Sequence, residues 1–162
     1  MSGSRVLVVE DNPVNRRLAV DVLRAAGYEV VEVAGAPEAR DRLAGSLPDC
    51  IVMDVRLGPI SGMDLLEDYP RHMQDYHPRV VVITAYDDES AKKRAADLKV
   101  DAFLLKPFTK DVLLSTVFSS IENYYEGELK MVRLAKQAFQ KKDAARQQTR
   151  DELNKKLKEN GE

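Results

Sequence analysis

Asp54 closes the apolar run CIVMD, and that placement makes it the first side chain to consider for chemistry. A short apolar run between turn formers predicts a buried strand, and a carboxylate at its end emerges at the edge where parallel sheets keep their ligands. Three other runs also end on polar groups: Arg5 to Val9 leads into Glu10 and Asp11, Arg79 to Ile83 into Thr84, and Ala102 to Leu105 into Lys106. If the strands are parallel, all of these groups gather around Asp54. Carboxylates crowded together raise one another's pKa unless a cation sits among them. Few carboxylates, several waters and room for a phosphoryl oxygen are what Mg²⁺ prefers. Lys106 brings a positive charge on a long stem and Thr84 a hydroxyl, both suited to the oxygens of a phosphoryl group on Asp54. The set describes an aspartate nucleophile whose charge a metal neutralises and whose product a lysine and a hydroxyl hold.

The elements that position these groups follow from the pattern between them. Asn12 and Pro13 form a helix start, and the helix runs to Gly27 with Val14, Leu18, Val22 and Ala25 or Ala26 expected on its inner face. Glu29 to Val33 alternates as a half-covered strand near a sheet edge, and Pro37 opens a second helix that turns Ala39 and Leu43 inward and closes near Gly45. After the Asp54 strand, the loop RLGPISG leads into a helix carrying Leu65 and Leu66, and His72 to Pro78 reads as a polar connection. Asp88 to Leu98 is a charged helix with Ala91, Ala95 and Leu98 as its stripe, and Thr109 caps the last helix. Five strand–helix alternations demand parallel strands with right-handed crossovers. The fold expected is α/β, a flavodoxin-like doubly wound five-stranded parallel sheet of order 2-1-3-4-5 with an extended C-terminal helix; this order puts Glu10, Asp11 and Asp54 at one crevice.

With 162 residues, 44% of them hydrophobic, the chain accommodates one core plus an appendage, which we divide as a domain over 1–125 and a helical extension or linker over 126–162. A net charge of −2 carries no footprint of general nucleic-acid or membrane binding. No signal peptide or transmembrane run is read, and the single cysteine, Cys50, lies inside an apolar strand where it packs rather than reacts, so a cytoplasmic setting is expected. In the extension, Val132, Phe139, Arg146 and Leu153 recur every seven residues, but charged residues at the companion positions make a weak coiled-coil seam. His72 and His77 lack companions at ligand spacing and read as surface residues.

The pieces VVEDN, IVMD followed by Gly62, VVVITAY and FLLKPF, in this order and each at a strand exit, resemble the receiver domain of bacterial two-component response regulators over roughly Arg5 to Tyr124. The resemblance implies that Asp54 accepts a phosphoryl group from a histidine kinase or histidine phosphotransfer protein. It implies Mg²⁺ held by Asp11, Asp54 and the backbone carbonyl of Arg56, with Glu10 assisting through water. Thr84 and Phe103 would be the switch residues, Lys106 would pair with the phosphoryl group, and the Lys106–Pro107 bond would be cis. Two departures stand out. Similar domains usually carry proline then glycine after the phosphoacceptor, whereas this chain has Gly58 then Pro59, and the usual glycine after the fourth helix is replaced near Lys99.

The leading expectation is therefore a phosphorylation-controlled switch that is not an enzyme beyond its own phosphorylation and dephosphorylation. A hydrolase working through an aspartyl phosphate needs a second carboxylate two residues after the nucleophile, where this chain has Arg56. A dimerising scaffold that never carries phosphate is the remaining alternative, and a homodimer through the C-terminal helix is expected in either case. Tyr86, two residues after Thr84, is expected to hinder attack of water on the aspartyl phosphate.

Overall fold

The structure is a computed structural model that describes residues 3–68, 77–84, 89–123 and 125–126. The chain divides into two compact units, Met1–Asn123 and Tyr124–Glu162, and the first carries the fold. In chain order its elements are β1 (Arg5–Val9), α1 (Pro13–Ala25), β2 (Glu29–Val33), α2 (Ala36–Gly45), β3 (Cys50–Asp54), the two-residue strands β4 (Arg56–Leu57) and β5 (Ile60–Ser61), α3 (Gly62–Asp68), β6 (Arg79–Thr84), α4 (Glu89–Asp97) and β7 (Ala102–Leu105). A last helix, α5, covers 110–123. The main sheet is parallel throughout with strand order β2-β1-β3-β6-β7, which is the order expected from the alternation of strands and helices, while β4 and β5 form a separate antiparallel hairpin.

The strands read as unbroken apolar runs because both faces of the sheet are covered. Successive side chains point to opposite sides, so Leu7, Val9, Ile51, Met53 and Val82 pack with α2, α3 and α4, while Val6, Val8, Cys50, Val52, Val81 and Ile83 pack with α1 and α5. Cys50 is fully buried, and burial pushes its thiol pKa well up, so it behaves as a small hydrophobe. β2, paired only with β1, is the edge strand that its alternating sequence predicts, and it leaves Val31 exposed.

Asn12 caps α1 as expected, its side chain accepting from the N–H groups of Val14 and Asn15 at 2.9 and 3.1 Å, with Pro13 in the first turn. The inner face of α1 differs from expectation. Ala19, Val20 and Leu23 are buried, whereas Val14 and Leu18 are 74% and 63% exposed. Small Ala19 lets the helix approach the sheet, Val22 is half-buried and packs on the core as expected, and Leu18 borders, with Ala19 and Val22, a cleft of about 320 Å³ next to the start of α5. Helix α2 buries Ala36, Ala39 and Leu43, and α3 buries Met63, Leu65 and Leu66.

Helix α4 ends without glycine. Lys99 itself adopts the left-handed conformation, φ 52°, as the N–H of Val100 reaches back to the carbonyl of Ala95 at 3.0 Å and that of Lys99 to Ala96 at 3.0 Å. Arg94 ties α4 to α3, donating to Asp64 and Glu67 at 2.7 Å each; its hydrogen bond holds the Asp64 carboxyl below the usual carboxylate range. No helix among the described residues is long and apolar enough to cross a membrane. The heptad positions of the extension, His72 and Tyr86 all lie outside the described residues, and His77 is exposed.

Candidate phosphoacceptor site

The carboxyl ends of β1, β3, β6 and β7 converge, and with them Glu10, Asp54, Thr84 and Lys106. Asp54 is the last residue of β3 and pairs in register with Ile83 of β6, so its side chain stands in the middle of the sheet edge. Glu10, Asp54 and Thr84 are all buried, at 6%, 7% and 3% exposure. Two charged carboxylates at such depth need a cation. Lys106 supplies it: its Nζ donates to Asp54 Oδ2 at 2.5 Å and to Glu10 Oε2 at 2.7 Å.

The shifts in acidity follow from this geometry. Burial, reinforced by the Asp54 charge, raises the Glu10 carboxyl above its ordinary range even though its bonds to Lys106 and the Asn12 N–H pull the other way. Burial would lower the Lys106 pKa, but the hydrogen bonds to Asp54 and Glu10 outweigh it, and the amine is raised. Lys106 is therefore a firmly charged ammonium. The backbone on either side of it is fixed as well: the Lys106 N–H donates to the Thr84 carbonyl at 2.7 Å, and the Lys106–Pro107 bond is cis, as expected.

Local hydrogen bonds hold the acidic residues in place. Glu10 Oε1 accepts from the Asn12 N–H at 3.1 Å, so both of its carboxylate oxygens are engaged. Asp54 Oδ1 accepts from the Arg56 N–H at 2.7 Å. Asp11 is exposed, and its Oδ2 accepts from the Gly58 N–H at 3.0 Å. The segment 56–58 thus receives both Asp54 and Asp11, which draws these two carboxylates to one loop. Arg16, on the first turns of α1, donates from Nη1 to the carbonyls of Glu10 and Asp11 at 2.8 and 3.3 Å and faces Glu32 of β2 at 3.6 Å. The sequence pattern gave no sign of Arg16, which stands among other charged residues of an exposed helix face.

Gly62 matters for a steric reason. A Cβ there would overlap the carbonyl oxygen of Asp54 and crowd the Met53 side chain, while the Gly62 N–H bonds the Val55 carbonyl at 2.8 Å. Only glycine lets α3 start this close to the end of β3. At the hairpin tip Gly58 has φ 62°, and Pro59 cannot take a positive φ, a combination that fits the first two positions of a type II′ turn. The reversed Gly58–Pro59 order is thus accommodated by a hairpin whose Leu57 is buried and whose Ile60 packs on the core. Phe103 is half-buried on β7 opposite Val82 and packs against the core on the α4 side.

Among the described residues, no three carboxylate, imidazole or thiolate groups stand together as a ready-made metal cage. Mg²⁺ does not require one. It commonly takes one or two carboxylates and keeps several waters. The oxygen donors beside the 56–58 segment, from Asp54, Asp11 and the Arg56 backbone, fit that habit.

A five-stranded parallel sheet of this order, with acidic groups and a lysine at its carboxyl edge, is the CheY-like class of flavodoxin fold. It superimposes on the CheY-like receiver domain from Methanospirillum hungatei with a TM-score of 0.72 at 22% identity, covering 78% of this chain and 99% of that one. It likewise matches a response regulator from Chloroflexus aurantiacus with a TM-score of 0.68 at 30% identity, covering 75% and 99%. Among characterised sequences it is 29% identical over 114 residues to the polar-differentiation response regulator DivK of Brucella ovis, covering 70% of this chain and 93% of that protein. The response regulator receiver domain pattern matches residues 6–118, and the chain belongs to that family.

Proposed function

We propose that this receiver domain is a switch thrown by phosphorylation of Asp54, with a histidine kinase or histidine phosphotransfer protein as donor. The observation that carries the reading is the buried Asp54–Lys106–Glu10 arrangement, in which a nucleophilic carboxylate already stands beside a cation that can hold its product. An Asp54 carboxylate oxygen attacks the phosphorus of a phosphohistidine, the P–N bond breaks, and the freed imidazole takes a proton from solvent. Lys106 moves with the new charge and pairs with a phosphoryl oxygen, Thr84 donates its hydroxyl to another, and the Arg56 N–H continues to orient the acceptor. Asp11, Asp54 and the Arg56 carbonyl would hold Mg²⁺, with Glu10 acting through water, and the bound ion would supply neutralisation of phosphoryl charge.

In this reading Thr84 moves toward the phosphoryl group and Phe103 turns inward behind it, which remodels the surface formed by α4, β7 and α5. Exposed Leu105 and Val112 on that surface are what a partner would sense. In this reading residues 1–125 are the switch, 126–162 are an extension that supports a homodimer, and the protein works in the cytoplasm. Arg56 in place of a second carboxylate speaks against a hydrolase.

The test is incubation with acetyl phosphate and Mg²⁺, which transfers its phosphoryl group with acetate leaving, followed by intact-mass measurement. A phosphoryl adduct that forms on the wild type and is absent from Asp54→Asn is expected; a protein that gains no adduct, or an Asp54→Asn variant that gains the same one, refutes the assignment.

A further inference from the structure

We infer that the backbone N–H of Gly58 is a positioning group for Asp11, so that the tip of the β4–β5 hairpin sets the affinity of the site for a divalent cation. This rests on the reading of Asp11 as a metal ligand and goes beyond it by assigning a group that orients it.

Asp11 lies at an exposed turn, where its carboxylate would otherwise sample several rotamers. Its backbone is held from one side by Arg16, whose Nη1 donates to the Asp11 carbonyl at 3.3 Å and the Glu10 carbonyl at 2.8 Å. What remains free is the side-chain torsion, and the Gly58 N–H fixes it by donating to Oδ2 at 3.0 Å across 47 residues of sequence. The donor is itself well placed. Leu57 is buried, Ile60 packs on the same core cluster, and Arg56 and Leu57 pair with Ser61 and Ile60, so the tip cannot drift far.

The residue order is what makes this bond available. A proline at position 58 would have no N–H to give and could not adopt φ 62°. With Gly58 first and Pro59 second, the chain keeps the donor and still stiffens the turn. One hydrogen bond to Oδ2 leaves Oδ1 and further lone pairs for a cation, and partners that orient a ligating carboxylate are commonly worth about 10–100-fold in metal affinity.

The experiment measures Mg²⁺ binding to the full chain by calorimetry and, separately, the rise in melting temperature with added Mg²⁺. It compares wild type, the double variant G58P/P59G, which removes the N–H at constant loop length, and Gly58→Ala, which keeps it. Space at Gly58 is open to a Cβ, so Gly58→Ala strains only the backbone. Urea titration establishes that each variant is folded. Expected are equal affinities for wild type and Gly58→Ala and about 10-fold weaker binding by G58P/P59G. If the double variant binds as tightly as wild type, or more tightly because the N–H competes with the cation, the inference is wrong. Equal weakening in Gly58→Ala also overturns it, by assigning the effect to turn shape. A wild type that binds no Mg²⁺ in either measurement instead removes the metal reading on which the inference stands.

Discussion

Gly62→Ala is the sharpest probe of how the end of β3 is held. A Cβ at Gly62 meets the carbonyl oxygen of Asp54 and the Met53 side chain. The methionine can adapt, but the carbonyl is backbone at the end of a fully buried strand and no rotamer removes it. Either α3 shifts or the end of β3 does. Overpacking of this kind costs about 1–3 kcal/mol, and the helix-propensity gain of alanine over glycine offsets at most about 1 kcal/mol of it. Because the obstructing atom is backbone, the cost lies at the upper end of that range, a net loss of about 2 kcal/mol follows, and with a urea slope of about 1–3 kcal/mol per M the unfolding midpoint falls by about 0.7–2 M. Gly45→Ala is the internal control: it ends α2 with no atom within 4 Å of its Cβ, and its φ is not left-handed. There the propensity term acts alone and the midpoint rises or stays level. The assay is equilibrium urea unfolding of wild type and both variants, with the adduct yield at Asp54 recorded alongside. A Gly62→Ala midpoint equal to or above that of wild type would refute the claim that close approach to Asp54 dictates glycine.

Two further outcomes follow from the geometry. Glu10 has a raised pKa, so the folded state binds its proton more tightly than the unfolded state, and stability from this group is lost as pH rises from its ordinary value of 4.5 through the folded value. In chelator, the stability of Glu10→Gln relative to wild type should therefore increase over that window; a flat or falling difference contradicts it. Lys99→Gly should gain about 1 kcal/mol by relieving the left-handed conformation at φ 52°, read as a higher melting temperature, and a loss would mean that the Lys99 side chain contributes something that the turn geometry does not reveal.

Much of the site was legible along the chain because its groups sit at a fixed local place, the first polar residues after a buried apolar run. Asp54, Glu10, Thr84 and Lys106 each had that signature, and the strand order followed from the alternation of runs with helices. The inner face of α1 was legible only in part. Val14, Leu18 and Val22 form an apolar row as good as the one containing Ala19, Val20 and Leu23, and periodicity alone cannot tell that of the first row only Val22 packs on the core. Arg16 was missed for a related reason: its partners are backbone carbonyls of a turn, and a carbonyl has no sequence signature.

Residue order by itself determined the sheet, its parallel sense and the residues gathered at its edge, since each depends on patterns a few residues long. Only the tertiary structure decided how those residues are wired. Lys106 finds Glu10 across 96 positions and Gly58 finds Asp11 across 47, and such pairings depend on distances that exist only once the strands are side by side. The same is true of Gly62, whose necessity lies in an oxygen atom eight residues earlier that the chain folds back to touch.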